Sequence, residues 1–177
     1  MIGQRPIDEF SIEALATDAS ISRGLLYHYF GSKQEFVYAV LRRMADSLFE
    51  ATAPIDDPDM EERLLVALRA YLHWVRDNLT GYVTFVQESQ ANPEVREIYV
   101  SSRAALTDRI FDSCTPEDLA AYGIVDAPHV RMFARSWAAM VEDVVLTWLQ
   151  DPQGLSEDQV IAALTRSLGG VLAVVSL

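Results

Sequence analysis

Cysteine and lysine each occur once in these 177 residues, as Cys114 and Lys33. A single cysteine excludes an internal disulfide and a cysteine-built metal cluster. With only Arg109 near it in sequence, Cys114 reads as a packed thiol rather than a redox sensor. No run of about 18 apolar residues occurs, and no charged stretch followed by an apolar one opens the chain. Neither a membrane span nor a signal peptide is therefore expected, and the protein reads as cytoplasmic. Catalytic patterns are missing too. His28, His73 and His129 lie far apart, no Gly-x-Ser-x-Gly or His-Glu-x-x-His occurs, and no glycine-rich phosphate loop follows a strand. The reading is of a non-enzyme with no catalytic residue, no metal ligand set and no cofactor.

Positive charge is also scarce, and the formal net charge is -12. Its distribution is uneven. Residues 1–45 hold five basic side chains (Arg5, Arg23, Lys33, Arg42 and Arg43) and five acids, so the remainder carries the whole deficit. That asymmetry argues against non-specific nucleic-acid binding by the whole surface and suits one DNA-facing end. Few phosphates could be neutralised there, so binding would be weak and salt-sensitive compared with that of a basic protein.

The stretch SIEALATDASISRGLLYHYFGSKQEF, from Ser11 to Phe36, supplies such an end. Ser11 is placed to cap a helix with Ile12, Leu15 and Ala16 on one face, ending near Asp18. Ser22 is placed to cap a second helix that displays Arg23, Gly24, Leu25, Tyr27 and His28 while Ile21 and Leu26 point inward. A helix that enters the major groove meets base edges with its N-terminal residues, which favours Ser22, Arg23 and Gly24. Ser32 and Glu35 have the spacing of a capping box that opens a third helix, where free amides and Lys33 would meet an anion.

The segment SRGLLYHYFGSKQEF resembles the signature that closes the DNA-binding domain of TetR-family transcriptional regulators. The resemblance implies that Tyr27, His28 and Lys33 touch phosphates and that Tyr29 and Phe30 pack against the next helix. Two departures stand out. Ser20 occupies a turn position where the family usually has glycine, and a non-glycine residue held left-handed there costs about 1–2 kcal/mol. The family also carries a helix before this motif, whereas MIGQRPIDEF reads as a linker. Three readings are open: a DNA-binding regulator; a helical ligand-binding or protein-interaction dimer without DNA binding; or a chain start placed downstream of the true one. In the absence of that helix, Ile12, Leu15, Ile21 and Leu26 lose a covering partner and operator binding is expected to be poor.

Beyond the motif, helical periodicity runs from Lys33 to about Ala51, and Ala53-Pro54-Ile55-Asp56-Asp57-Pro58 breaks it. This predicts an all-α chain with a boundary near residue 53; the resemblance implies a partial helix-turn-helix domain with its linking helix over residues 1–52, then a helical effector-binding and dimerisation domain over 53–177. Asp57 with Pro58 predicts a helix running to about Asn78, and the ambiguous stretch after Gly81 is also read as helix for want of a partner strand. Asn92-Pro93 opens another helix, to about Asp112, and Thr115-Pro116 a short one closed by Gly123. The last two span Asp126 to Gln150 and Ser156 to Val175, the second with a Ser156/Gln159 capping box. Gly169 and Gly170 inside it predict a close helix crossing.

Trp74, Phe85, Tyr99, Phe133, Trp137 and Met140 are large enough to line a cavity, with Glu88 and Arg103 as polar contacts. Each taken singly also fits a core, and Arg103 fits a surface ion pair equally well. The resemblance implies an unidentified small hydrophobic or aromatic effector held among these helices, and homodimerisation through the last two. Val141, Val145, Trp148, Leu164, Leu168, Gly169 and Leu172 are the expected interface residues. The function implied is a ligand-responsive repressor that binds a palindromic operator as a dimer.

Overall fold

A computed structural model describes residues 23–176. Among these residues there are eight α-helices and no strand: α1 Arg23–Phe30, α2 Lys33–Ala51, α3 Met60–Asp77, α4 Leu79–Ala91, α5 Pro93–Asp112, α6 Pro116–Ala121, α7 Pro128–Gln150 and α8 Glu157–Val175.

Side-chain caps account for most of the starts. Ser32 Oγ accepts from the Glu35 amide at 3.1 Å at the head of α2. Asn92 Oδ1 accepts from the Glu94 and Val95 amides at 3.0 and 3.1 Å at the head of α5. Thr115 with Asp118, and Ser156 with Gln159, form full capping boxes for α6 and α8. Two starts differ from expectation. Asp57 does not cap α3: its Oδ1 takes the Asp59 amide at 2.8 Å, Asp59 Oδ1 takes the Glu61 amide at 2.9 Å, and the helix opens at Met60. At α7 the carboxylate of Asp126 is held by Arg131, so the helix opens at Pro128 without a side-chain cap. Between α1 and α2 the chain reverses at Gly31, whose φ of 68° is a left-handed conformation that glycine adopts without a Cβ penalty.

The chain forms two compact units. One comprises residues up to Leu48 together with Asp77–Ser102, and its core gathers Val37 and Leu41 of α2, Phe85 of α4, and Val95, Ile98 and Tyr99 of α5. Phe85 and Tyr99 meet edge to face with ring centres 5.7 Å apart. The other comprises Phe49–Arg76 and Arg103–Leu177. There Leu68, Leu72 and Val75 of α3, Val130, Ala134, Trp137, Val141 and Val145 of α7, and Val160, Ile161, Leu164, Leu168 and Leu172 of α8 are buried. The Trp137 indole donates to Ser167 Oγ at 2.8 Å, tying α7 to α8.

Helix α8 is long and apolar enough, by length and composition, to cross a membrane, and a third of that stretch is buried inside the chain. Among the described residues no close crossing is made at Gly169 or Gly170: apart from adjoining residues and the helix's own backbone, no atom lies within 4 Å of where a Cβ would stand at either.

Two arginine ion pairs and a histidine contact fix the start of α8. Arg69, His73 and Arg76 share a face of α3 opposite the first-turn acids of α8: Arg69 Nη2 reaches Asp158 Oδ1 at 2.7 Å, His73 Nε2 reaches Glu157 Oε1 at 2.6 Å, and Arg76 Nη1 reaches Glu157 Oε2 at 3.2 Å. The His73 contact first, then the charges of Arg76 and Arg69, hold the Glu157 carboxyl below its ordinary value of 4.5 against the opposing effect of burial. A carboxylate depressed in the folded state stabilises fully above its unfolded value, and that contribution is lost as pH falls through the folded value. Glu157→Gln is expected to lower the melting temperature at pH 6, and the gap from the native chain should close as pH falls below 4.5. Thermal melts across that range check it; a gap independent of pH would show that the carboxylate charge contributes nothing.

Candidate nucleic-acid interface

The short helix α1 is joined to α2 through Gly31, and the ring of Phe30 packs edge to face on Phe36 with centres 5.0 Å apart. This contact sets the turn, because Phe30 is the last residue of α1 and Phe36 lies in the first turn of α2. Gly24, His28 and Tyr29 are exposed. Tyr29 departs from expectation: it is 72% exposed and touches His28 edge to face instead of packing on α2. Phe30 alone takes the inward position. Lys33 is the first residue of α2 and is half-buried. Ser32 caps the helix through the Glu35 amide, and the first amides of a helix lack intrahelical partners. Ser11 and Ser22 lie outside the described residues, as do the side chains of Arg23, Leu25 and Tyr27.

The residues expected at an effector site are distributed over both units. Phe85 and Tyr99 are buried in the first, where Glu88 is half-buried. Trp74, Arg103 and Trp137 belong to the second, Trp137 buried and the other two half-buried. Phe133 and Met140 do not point inward. Each is 40% exposed, at the edge of the buried stripe that Val130, Ala134 and Trp137 form on α7. A cleft of about 340 Å³ opens at the head of α7, lined by Asp126, Ala127, Pro128, Arg131 and Arg135. None of the expected aromatic residues lines it. Its cations are already paired: Arg131 bridges Asp126 in a two-pronged contact at 2.7 and 2.8 Å and reaches Asp112 at 2.9 Å, while Arg135 holds Asp108. Those carboxylates push the Arg131 pKa up, and the cluster braces the end of α5 against the start of α7.

Of the residues expected at a dimer interface, Val141, Val145, Leu164, Leu168 and Leu172 are each 5% exposed or less within the chain itself. Their side chains form the protomer's own core. Trp148 donates its indole N–H to the Leu155 carbonyl at 3.0 Å, closing the loop between α7 and α8. Gly169 alone of the set is exposed; Met132, Phe133 and Met140 of α7 and Val174 of α8 are exposed apolar side chains as well.

Two arginines have partners that the sequence does not suggest. Arg63 of α3 donates to the Asp57 carbonyl at 2.6 Å and to Cys114 Sγ at 3.4 Å, so the thiol has a cationic neighbour that no local spacing reveals. Arg109 of α5 donates through Nη1 to the Phe49 carbonyl at 2.6 Å, and through Nη2 to the Thr52 carbonyl at 2.5 Å and hydroxyl at 2.6 Å. The one available signal was indirect: the last turn of α2 contains no basic residue of its own.

Comparison with known proteins agrees with this arrangement. Residues 1–40 match the family described as bacterial regulatory proteins, tetR family, and residues 60–169 match the tetracyclin repressor-like C-terminal domain. Over 169 residues the chain is 27% identical to the HTH-type transcriptional activator FasR of Mycolicibacterium smegmatis, covering 94% of this chain and 75% of that one. Over 149 residues it is 24% identical to the HTH-type transcriptional regulator BetI of Agrobacterium fabrum, covering 76% and 72%. A tetR-family transcriptional regulator from Streptomyces coelicolor superposes with a TM-score of 0.76 at 26% identity, covering 98% of this chain and 75% of the other. With two family matches that together take in the helix-turn-helix segment and most of the C-terminal helices, the chain belongs to the TetR family of helix-turn-helix transcriptional regulators.

Proposed function

We propose that this regulator acts as a homodimeric repressor of a palindromic operator and is released by a small apolar effector. The observation that carries the reading is the α1–Gly31–α2 arrangement, which brings an exposed helix face and the chain's lysine to one end. In this reading α1 enters the major groove, Arg23 reads a base edge, and Lys33 with the head of α2 holds a phosphate. An effector bound in the C-terminal part favours a conformation in which α2 swings, so that two recognition helices no longer fit successive major grooves.

The exposed apolar side chains of α7 and α8 support the dimer. Met132 is 55% exposed and Val174 70%, and the open surface at Gly169 and Gly170 leaves room for a second α8 to approach. A face of this kind is stabilised when a self-complementary copy covers it.

Selection from random duplexes tests the DNA reading, with enrichment of palindromic sites expected. Arg23→Ala should then cost about 1–3 kcal/mol and relax preference at one position. Lys33→Ala should weaken all sequences and lower the salt slope by about 1. Absence of any sequence preference would leave a helical ligand-binding or interaction dimer.

For the dimer, Phe133→Glu combined with Met140→Glu should yield folded monomers in sedimentation, because an unpaired charge buried at an interface costs several kcal/mol. Charges at Leu164 and Leu168, 4% and 5% exposed, should instead unfold the protomer. A double variant that stays dimeric would move the interface elsewhere. Hydrophobic and aromatic compounds that bind should change Trp74 or Trp137 fluorescence and raise the melting temperature with concentration. Trp148, committed to the loop carbonyl, should respond less. A screen that moves neither signal would leave these aromatics as core.

A further inference from the structure

We propose that Arg109 is a positioning residue for operator binding: from α5 it grips the C-terminal end of α2, the helix whose first residue is Lys33, and thereby fixes how that helix is held. This rests on the operator reading above.

The last carbonyls of α2 lack intrahelical partners and form the negative pole of its dipole, and its own last turn offers no cation while Glu50 adds a negative charge. The Glu50 carbonyl is taken by the Ala53 amide at 3.2 Å. Arg109 meets this end from the side, with three hydrogen bonds to Phe49 and Thr52 and its guanidinium 3.9 Å from the centre of the Phe49 ring. Ring and carbonyls together fix both the position and the plane of the fork.

Arg109 differs from its neighbours in what it binds. Arg131 and Arg135 are held by carboxylates, whereas Arg109 pairs with no carboxylate among the described residues. Burial alone moves its pKa, downward. Its charge is therefore answered by helix carbonyls and an aromatic face, which makes its favourable interaction depend on α2 ending where it does. Thr52, 5% exposed, is the residue at which the helix stops, and Pro54 lies two residues on. Nothing prolongs the helix, so side contacts locate its end. A 19-residue helix is about 28 Å long and stiff, and what fixes one end constrains the other.

The test uses the full chain and a duplex selected with it. Arg109→Ala, measured well below its melting temperature, should bind that duplex about tenfold more weakly with an unchanged salt slope, because no phosphate contact is lost. Hydrogen exchange of the amides at 50–53 should accelerate. Arg109→Lys, a point charge that cannot span both carbonyls, should restore only part of the affinity. Phe49→Leu, which removes the ring and keeps the carbonyls, serves if Arg109→Ala does not fold, and should also weaken binding with the salt slope intact. Affinity within about twofold of the native chain in the folded variants, or a reduced salt slope, overturns the proposal. A native chain that selects no sequence overturns the operator reading itself; a selective native chain with unaffected variants overturns the Arg109 role alone.

Discussion

The buried side of α2 is the constraint on which the first compact unit depends. Val37 and Leu41 of that helix are 2% and 0% exposed and are enclosed by Phe85, Val95, Ile98 and Tyr99. Burying a side chain of this size stabilises by about 1.5–3 kcal/mol, so the helix that begins at Lys33 is also a principal core element. One stripe of residues thus serves two ends. Because the interior is close-packed, turning α2 about its own axis would unpack that stripe, and a movement that keeps it buried carries neighbouring helices along. The start of α2, next to the helix-turn-helix segment, is in this way coupled to helices that are distant from it in sequence.

Much of the helical pattern was legible because starts are written locally. Ser32, Asn92, Thr115 and Ser156 cap where their spacing says they should, each through atoms within three residues. The start of α3 was displaced because two aspartates in series each bind the amide two residues on, and a cap signal cannot say which of them adjoins the helix. At the site, periodicity failed for a different reason. Helices α7 and α8 are apolar on more than one side, and the pattern does not tell which side meets the chain's own core and which is left over. Leu164, Leu168 and Leu172 went inward, and Phe133 and Met140 outward. Tyr29 and Phe30 were alike on the same ground, and the turn at Gly31 admits one ring against α2 and turns the other to solvent. The Arg109 contacts join residues 57 and 60 positions apart and leave no local trace.

The excess of acid is less free than the net charge suggests. Asp108, Asp112, Asp126, Glu157 and Asp158 each hold an arginine or histidine across a helix boundary in the second unit. Exposed pairs of this sort are worth about 0–1 kcal/mol each, but clusters that share Arg131 or Glu157 constrain several elements at once. Arginine, whose planar fork binds carboxylates and carbonyls in two places, is consumed in building this part of the molecule.

The chain's one lysine is the first residue of α2, beside the turn at the end of the recognition helix. In the operator reading proposed above, amine chemistry therefore singles out a position near the bound duplex: among the side chains of these 177 residues, an acylating or reductively methylating reagent has one place to react. A probe attached there would report on the neighbourhood of the bound duplex without any engineered cysteine. Enzymatic acetylation of the same nitrogen would remove the only ammonium side chain among these 177 residues and leave every arginine contact in the second unit unaltered.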